Sequence, residues 1–174
     1  MSVPDSAQDF LVMECGGLSF LVNRNQFDSS LYIQNGTPEG EKTRYAFDTI
    51  DYGGKTLLLL DFFSHLQLLF NYRSTESAHL ALVVSVSDLS RKVSDIIHSL
   101  KGNGEISKEY IALRVTSQSS IEHIQISSLR PLPRLLREIG LDGGILGLRF
   151  VATHQVQYFI DLDKMIARMM EGML

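Results

Sequence analysis

Asp51-Tyr52-Gly53-Gly54-Lys55-Thr56-Leu57-Leu58-Leu59-Leu60-Asp61-Phe62 carries a strand end, a tight turn, a second strand, an acidic stop and the start of a helix in one unbroken run. Gly53 and Gly54 tolerate the positive φ angles of a primed two-residue turn, which reads as a β-hairpin. Leu57 to Leu60 lack polar alternation, so their strand is expected to be covered on both faces. Phe62, Phe63, Leu66, Leu69 and Phe70 then fall at helical spacing, and Asp61 is placed to cap that helix. The same parts recur, in the same order, in Val151-Ala152-Thr153-His154-Gln155-Val156-Gln157-Tyr158-Phe159-Ile160-Asp161-Leu162. The repetition points to two related halves.

Working outward, residues 10–15 and 18–22 are apolar runs separated by Gly16-Gly17, a further hairpin. Residues 23–42 are polar and contain Gly36, Pro38 and Gly40, the composition of a loop, with Phe27, Leu31, Tyr32 and Ile33 available for a short strand or turn that dips into the core. Residues 44–52 and 55–61 form the arms of the central hairpin, and residues 80–86 are a further buried strand. Over residues 88–101 the period changes to that of a helix with Leu89, Val93, Ile96, Ile97 and Leu100 on one face, Asp88 at its start and Gly102 at its stop. Strands follow at 110–115 and 121–126. Arg130-Pro131-Leu132-Pro133 interrupts the chain before a short helix with Leu135, Leu136 and Ile139, and Asp142-Gly143-Gly144 makes a turn. Leu146, Leu148, Phe150 and Ala152 alternate along one strand; Val156, Tyr158 and Ile160 alternate along the next. A last helix carries Met165, Ile166, Met169, Met170 and Met173. Many short strands with glycine turns and few helices indicate barrels or sandwiches rather than βαβ units, and the repeat argues for two barrels.

A chain of 174 residues can bury about 70% of the surface it exposes when unfolded, enough for a core without staples. Its net charge is −4 and its sixteen basic residues are scattered, which argues against a nucleic-acid partner. The longest apolar run is far shorter than the roughly 20 residues of a membrane span. Residues 1–6 do not follow the pattern of a signal peptide, and a cytoplasmic protein is expected. The single cysteine, Cys15, reads as a small apolar strand residue.

No catalytic or metal chemistry stands out, and no cofactor is expected. Asp61 and Asp161 could form a carboxylate pair, but their matching contexts read as helix caps. Asp161-Leu162-Asp163 is too short to define a metal site. His65, His79, His98, His123 and His154 are dispersed, and none belongs to a nucleophile motif. Gly102-Asn103-Gly104 lacks the lysine and hydroxyl residue of a phosphate loop and reads as a helix stop. Two features could bind partners: the apolar face of the 88–101 helix and the C-terminal methionine stripe. For both, packing against the molecule's own core is the simpler alternative.

The hairpin 50–62 follows, position by position, the I-N-L-R-G-x-x-L-P-V-I-D-L pattern of the CheW-like family, the coupling proteins of bacterial chemotaxis. Gly54, Leu57 and Asp61 agree with it. The opening hairpin 10–22, Leu129-Arg130-Pro131-Leu132-Pro133, and the closing pair ending in Tyr158-Phe159-Ile160-Asp161-Leu162-Asp163-Lys164 also resemble that family. The resemblance implies a mainly β fold of two small five-stranded β-barrels with a few helices, forming one domain over residues 1–174. It also implies a non-catalytic adaptor that couples chemoreceptors to a histidine kinase of the CheA type. The contact region carried over is Gly53, Gly54, Lys55 and Leu57. The chain departs from the pattern in four places. Gly53 replaces the arginine before the turn glycine, and Leu58 replaces the proline. Val115-Thr116 stands where Val-Asp is usual, and the 88–101 helix interrupts an otherwise tight turn. The alternative is a module of the same fold used for binding or self-association outside chemotaxis.

Overall fold

The computed structural model describes residues 6–15, 17–33, 48–71, 79–100, 106–116, 118–138, 143–152 and 155–171. In chain order the strands begin with β1 (Ala7–Cys15), β2 (Leu18–Asn23), β3 (Ser29–Tyr32), β4 (Asp48–Tyr52), β5 (Lys55–Asp61) and β6 (Leu80–Ser85). They continue with β7 (Ile106–Thr116), β8 (Gln118–Gln125), β9 (Arg130–Pro131), β10 (Ile145–Val151) and β11 (Gln155–Ile160). The helices are α1 (Phe62–Leu69), α2 (Arg91–Ser99), α3 (Arg134–Glu138) and α4 (Leu162–Glu171). Expectations at Gly16, Gly36, Pro38, Gly40, Gly102, Asn103, Gly104, Ile139, Asp142, His154 and Met173 lie outside the described residues.

The strands form a five-stranded sheet, in the order β3-β6-β7-β5-β4, and a six-stranded sheet, in the order β8-β1-β2-β11-β10-β9. The two orders are the same design. In each, a hairpin (β4–β5, β10–β11) lays its second strand parallel to a neighbour (β7, β2). That neighbour pairs antiparallel with the strand before it in the chain (β6, β1), which in turn pairs with an outer strand (β3, β8). Each hairpin leads directly into a helix, α1 or α4. The repeat read in the sequence is therefore a repeat of topology. The sixth strand, Arg130–Pro131, pairs among the described residues only with Gly147 and Leu148, a contribution that the proline pattern does not anticipate. A proline is tolerated there because β9 is an outer strand.

The leucine run explains why the two sheets stay together. Leu58 and Leu60 face a core cluster shared with Leu11, Met13, Phe20 and Val22 of the six-stranded sheet. Leu57 and Leu59 face a second cluster with Ile33, Ala81, Val83 and Ala112 on the opposite side of the five-stranded sheet. All four leucines are buried, as their unbroken apolar pattern requires. The same shared cluster takes Phe62, Phe63 and Leu66 from α1 and Met165, Ile166, Met169 and Met170 from α4. The described methionines of the terminal stripe are thus core residues and not a binding face.

The six-stranded sheet curls. Arg149 of β10 and Glu122 of β8 are separated by three intervening strands, yet Arg149 Nη1 lies 2.9 Å from Glu122 Oε2. In a flat sheet four strand spacings would hold those backbones about 19 Å apart. The concave side encloses Phe10, Val12, Leu21 and Ile124, joined by Phe159, which meets Phe10 edge-on at 5.4 Å.

Two local expectations need correction. The helical period placed a cap at Asp88, but Val86–Asp88 forms a 3-10 turn and α2 starts at Arg91. The chain leaves β6 through that turn before it can enter the helix. Second, the alternation from Leu146 to Ala152 is broken by an irregularity in register between Ile145 and Gly147. Leu148 is buried, whereas Phe150 is 67% exposed.

Candidate functional site

The sequence directs attention to the β4–β5 hairpin, and its turn is built as expected. Gly53 and Gly54 have φ of +59° and +79°, the paired left-handed geometry that favours glycine. The Gly54 N–H donates to Asp51 Oδ1 at 3.2 Å, which ties the turn to its own strand. A Cβ at either glycine would meet nothing within 4 Å, so the turn stands clear of the rest of the molecule. Lys55 pairs with Glu109 of β7 and sits 5.6 Å from the centroid of the Tyr110 ring. That hydrogen bond and the Glu109 charge raise the Lys55 pKa above its ordinary value. Leu57, carried over as a contact residue, is fully buried; it fixes the hairpin from beneath and does not reach the surface.

A cavity of about 460 Å³ opens beside the turn, lined by Gly54, Lys55 and Thr56 on one side and by Ile106, Ser107 and Glu109 on the other. Lys108, also on its wall, donates to the carbonyls of Ile97 at 3.0 Å and Leu100 at 2.6 Å. These are carbonyls at the C-terminal end of α2, which a cation satisfies well. Burial lowers the Lys108 pKa. Glu109, Lys108 and Tyr110 were missed as site residues because they reach the hairpin only through the β5–β7 pairing; Glu109 is 54 residues from Lys55.

The inserted helix is fastened to its own molecule. Val93 and Ile97 are buried in the shared core. The Ser90 N–H at its start donates to Asp163 Oδ1 of α4 at 2.8 Å, and Lys92 pairs with Glu171 of the same helix. The alternative of a protruding recognition helix is corrected by these contacts: the apolar face of α2 is spent on packing.

The remaining candidates lie apart. Asp61 Oδ1 accepts from the Ser64 N–H at 3.0 Å, and Asp161 Oδ1 accepts from the Lys164 N–H at 3.3 Å. Each aspartate caps its own helix, and they form no carboxylate pair. Arg114 adds a longer contact of 4.0 Å to Asp61 and 3.9 Å to Asp48, drawing β4, β5 and β7 together. Cys15 is buried in β1. His123 Nδ1 is 2.8 Å from Asp9 Oδ1 on a well-exposed strand surface, and His79 stacks on Tyr32 at 6.4 Å. Among the described residues no group of three or more His, Cys, Asp or Glu could hold a metal ion, and no helix is long and apolar enough to cross a membrane.

Both sheets present outer strands. Among the described residues β4 pairs with β5 on one side only, and β3 pairs only with β6. On β3, Tyr32 is 72% exposed. Unpaired strand backbone of this kind accepts a further strand from a partner. The hairpin therefore combines an open edge, a rigid turn and an exposed Lys–Glu pair.

No family model matches the chain, and no curated protein matches it by sequence. Among solved structures it is similar to the scaffolding protein TtCheW from Thermoanaerobacter tengcongensis, with a TM-score of 0.55 over 92% of both chains at 12% identity. At that identity the likeness concerns the fold, which is CheW-like and mainly β.

Proposed function

We propose that this chain is a non-catalytic adaptor of bacterial signal transduction, working in the cytoplasm, that couples a chemoreceptor to a histidine kinase of the CheA type through protein–protein contacts. In this reading residues 1–174 are one CheW-like unit of two barrel subdomains. The observation that carries it is the full-length likeness in fold to a scaffolding protein. The contact region is the Gly53-Gly54-Lys55 turn with the β4 edge. Gly53 leaves that turn without the arginine of the resembling pattern. Lys55, two positions on and half exposed, is the local cation that takes its place.

The test is direct binding of the purified chain to a purified CheA-type kinase and to a chemoreceptor cytoplasmic fragment from the same organism. Binding to both, weakened about tenfold or more by Lys55→Glu, supports the adaptor. Removing a charge from an interface pair and reversing its sign acts on that scale. Binding to neither partner overturns it.

A second reading has its own observation. Two strand edges without a neighbour among the described residues, one bearing the exposed Tyr32, suit self-association by strand pairing. A concentration-dependent rise in mass without kinase or receptor binding selects this reading.

A further inference from the structure

The cavity of about 460 Å³ beside the β4–β5 turn is opened by a break in the β5–β7 register. Thr56 lies opposite Ile106, and the next partners are Leu58 and Ile111. β5 advances two residues there while β7 advances five, so three extra residues arch away from the hairpin. An irregularity of this kind interrupts the ladder and re-aims side chains. Ser107, Lys108 and Glu109 ride on the arch, across the opening from Gly54, Lys55 and Thr56. The volume falls within the range of small-ligand sites, about 300–1,000 Å³.

The walls carry two lysines and one glutamate. Glu109 is taken by Lys55. Among the described residues Lys108 has no carboxylate partner: its ammonium donates to the Ile97 and Leu100 carbonyls, which satisfy hydrogen bonds and leave the charge unmatched. An ammonium has three donors, so one N–H remains. The lowered pKa of Lys108 reflects the cost of holding that charge away from water. Ser107 Oγ accepts from the Glu109 N–H at 3.3 Å, which leaves its own O–H to donate. The preceding residues 101–105 hold one lysine and one glutamate and leave the balance unchanged. In a chain of net charge −4, this concavity combines a positive surplus with unused donors.

We propose that this cavity binds a small oxyanion, a carboxylate or phosphate group, between the Lys55 and Lys108 ammoniums, with the Ser107 hydroxyl as a further donor. The site stands apart from the adaptor reading, because it needs neither kinase nor receptor. Lys108 also secures the end of α2, so an occupant is felt at Ile97 and Leu100 as well as on the cavity walls.

The probes are inorganic phosphate, for a free or esterified phosphate, and N-acetylglutamate, for the acidic side chain of a partner; sodium chloride at matched ionic strength is the control. Titration of the full chain, followed by amide chemical shifts, is expected to give saturable 1:1 binding of at least one probe. The shifts should centre on residues 54–56, 97–100 and 106–109, and chloride should not reproduce them. Lys108→Met should weaken binding about tenfold or more, the scale of one charge-assisted hydrogen bond. That variant also frees two helix-end carbonyls, so Glu109→Gln supplies a second arm. It removes the one carboxylate among the described wall residues at an exposed position. It should therefore melt with the parent and bind about three- to tenfold more tightly. Binding of phosphate alone identifies a phosphate ligand, and binding of N-acetylglutamate alone an acidic side chain. Binding of neither overturns the proposal. So does equal binding by the parent and both variants, or an equal response to chloride.

Discussion

Arg149 and Glu122 join the two ends of a curled sheet: 2.9 Å separates Nη1 from Oε2, although β10 and β8 share no backbone pairing. Gln157 Oε1 takes a second hydrogen bond from the same nitrogen, so the guanidinium ties three strands at once. Arg149→Met leaves a carboxylate and an amide oxygen without their donor. The side chains are 23% and 43% exposed, and water partly compensates, so the loss should be about 1–2 kcal/mol. Urea unfolding of the variant against the parent measures it. A midpoint that does not move would leave the pair without a structural role.

The inserted helix should behave as core. Ile97 is 1% exposed within the shared cluster, and Ile97→Ala should destabilise by about 2–4 kcal/mol through lost burial and a residual cavity. Arg91, with its side chain 95% exposed, is the control, and Arg91→Ala should change stability by no more than about 0.5 kcal/mol. If both variants melt with the parent, α2 does not support the fold.

What could be read from the sequence follows from how far apart the interacting residues lie. Leu57 to Leu60 announced a strand covered on both faces because two separate clusters each claim alternate leucines, which leaves no polar position in the run. Asp61 and Asp161 announced helix caps because a cap bond is local, three residues long. Asp88 has the right chemistry for a cap, but Ser90 is the N-cap of α2 and its N–H is held by Asp163, 73 residues away. The cavity beside the β4–β5 turn was invisible for the same reason. Lys55 and Glu109 on its two walls lie 54 residues apart, and only the β5–β7 parallel pairing brings them together. Likewise Leu57 sat in a matching motif, but the motif could not say that its side chain points inward.

At the β4–β5 turn the constraint is backbone conformation and not space. Gly53 has φ +59° and open surroundings, so any side chain finds space but every one is strained there, a β-branched one most. Gly53→Val should destabilise by about 1–2 kcal/mol, and Gly53→Asn by clearly less, since asparagine enters the left-handed region more readily. Thermal melting of the two variants gives the ranking. Equal melting temperatures would mean that the turn relaxes to another type. Gly53→Arg belongs to the same series: it restores the arginine of the resembling pattern at a conformational penalty only, and in the adaptor reading it should tighten kinase or receptor binding.

His65 gives the fold a dependence on pH. It lies on α1, partly buried, with Nε2 enclosed and unpartnered. Burial, and secondarily the charge of Arg168, lower its pKa below the ordinary 6.5. The folded state therefore resists the proton that the unfolded state accepts. Above the unfolded value both states hold a neutral ring, and stability is full. As pH falls below that value the unfolded chain gains a proton first, and stability declines until the depressed folded value is passed, where the loss levels off. Unfolding free energies measured by urea from about pH 8 to about pH 5 should show this decline. His65→Gln, which keeps a polar group of similar reach but cannot titrate, should flatten it over that window. If parent and variant lose stability in parallel there, the decline belongs to other groups, and the enclosed ring accepts its proton as readily as a free one.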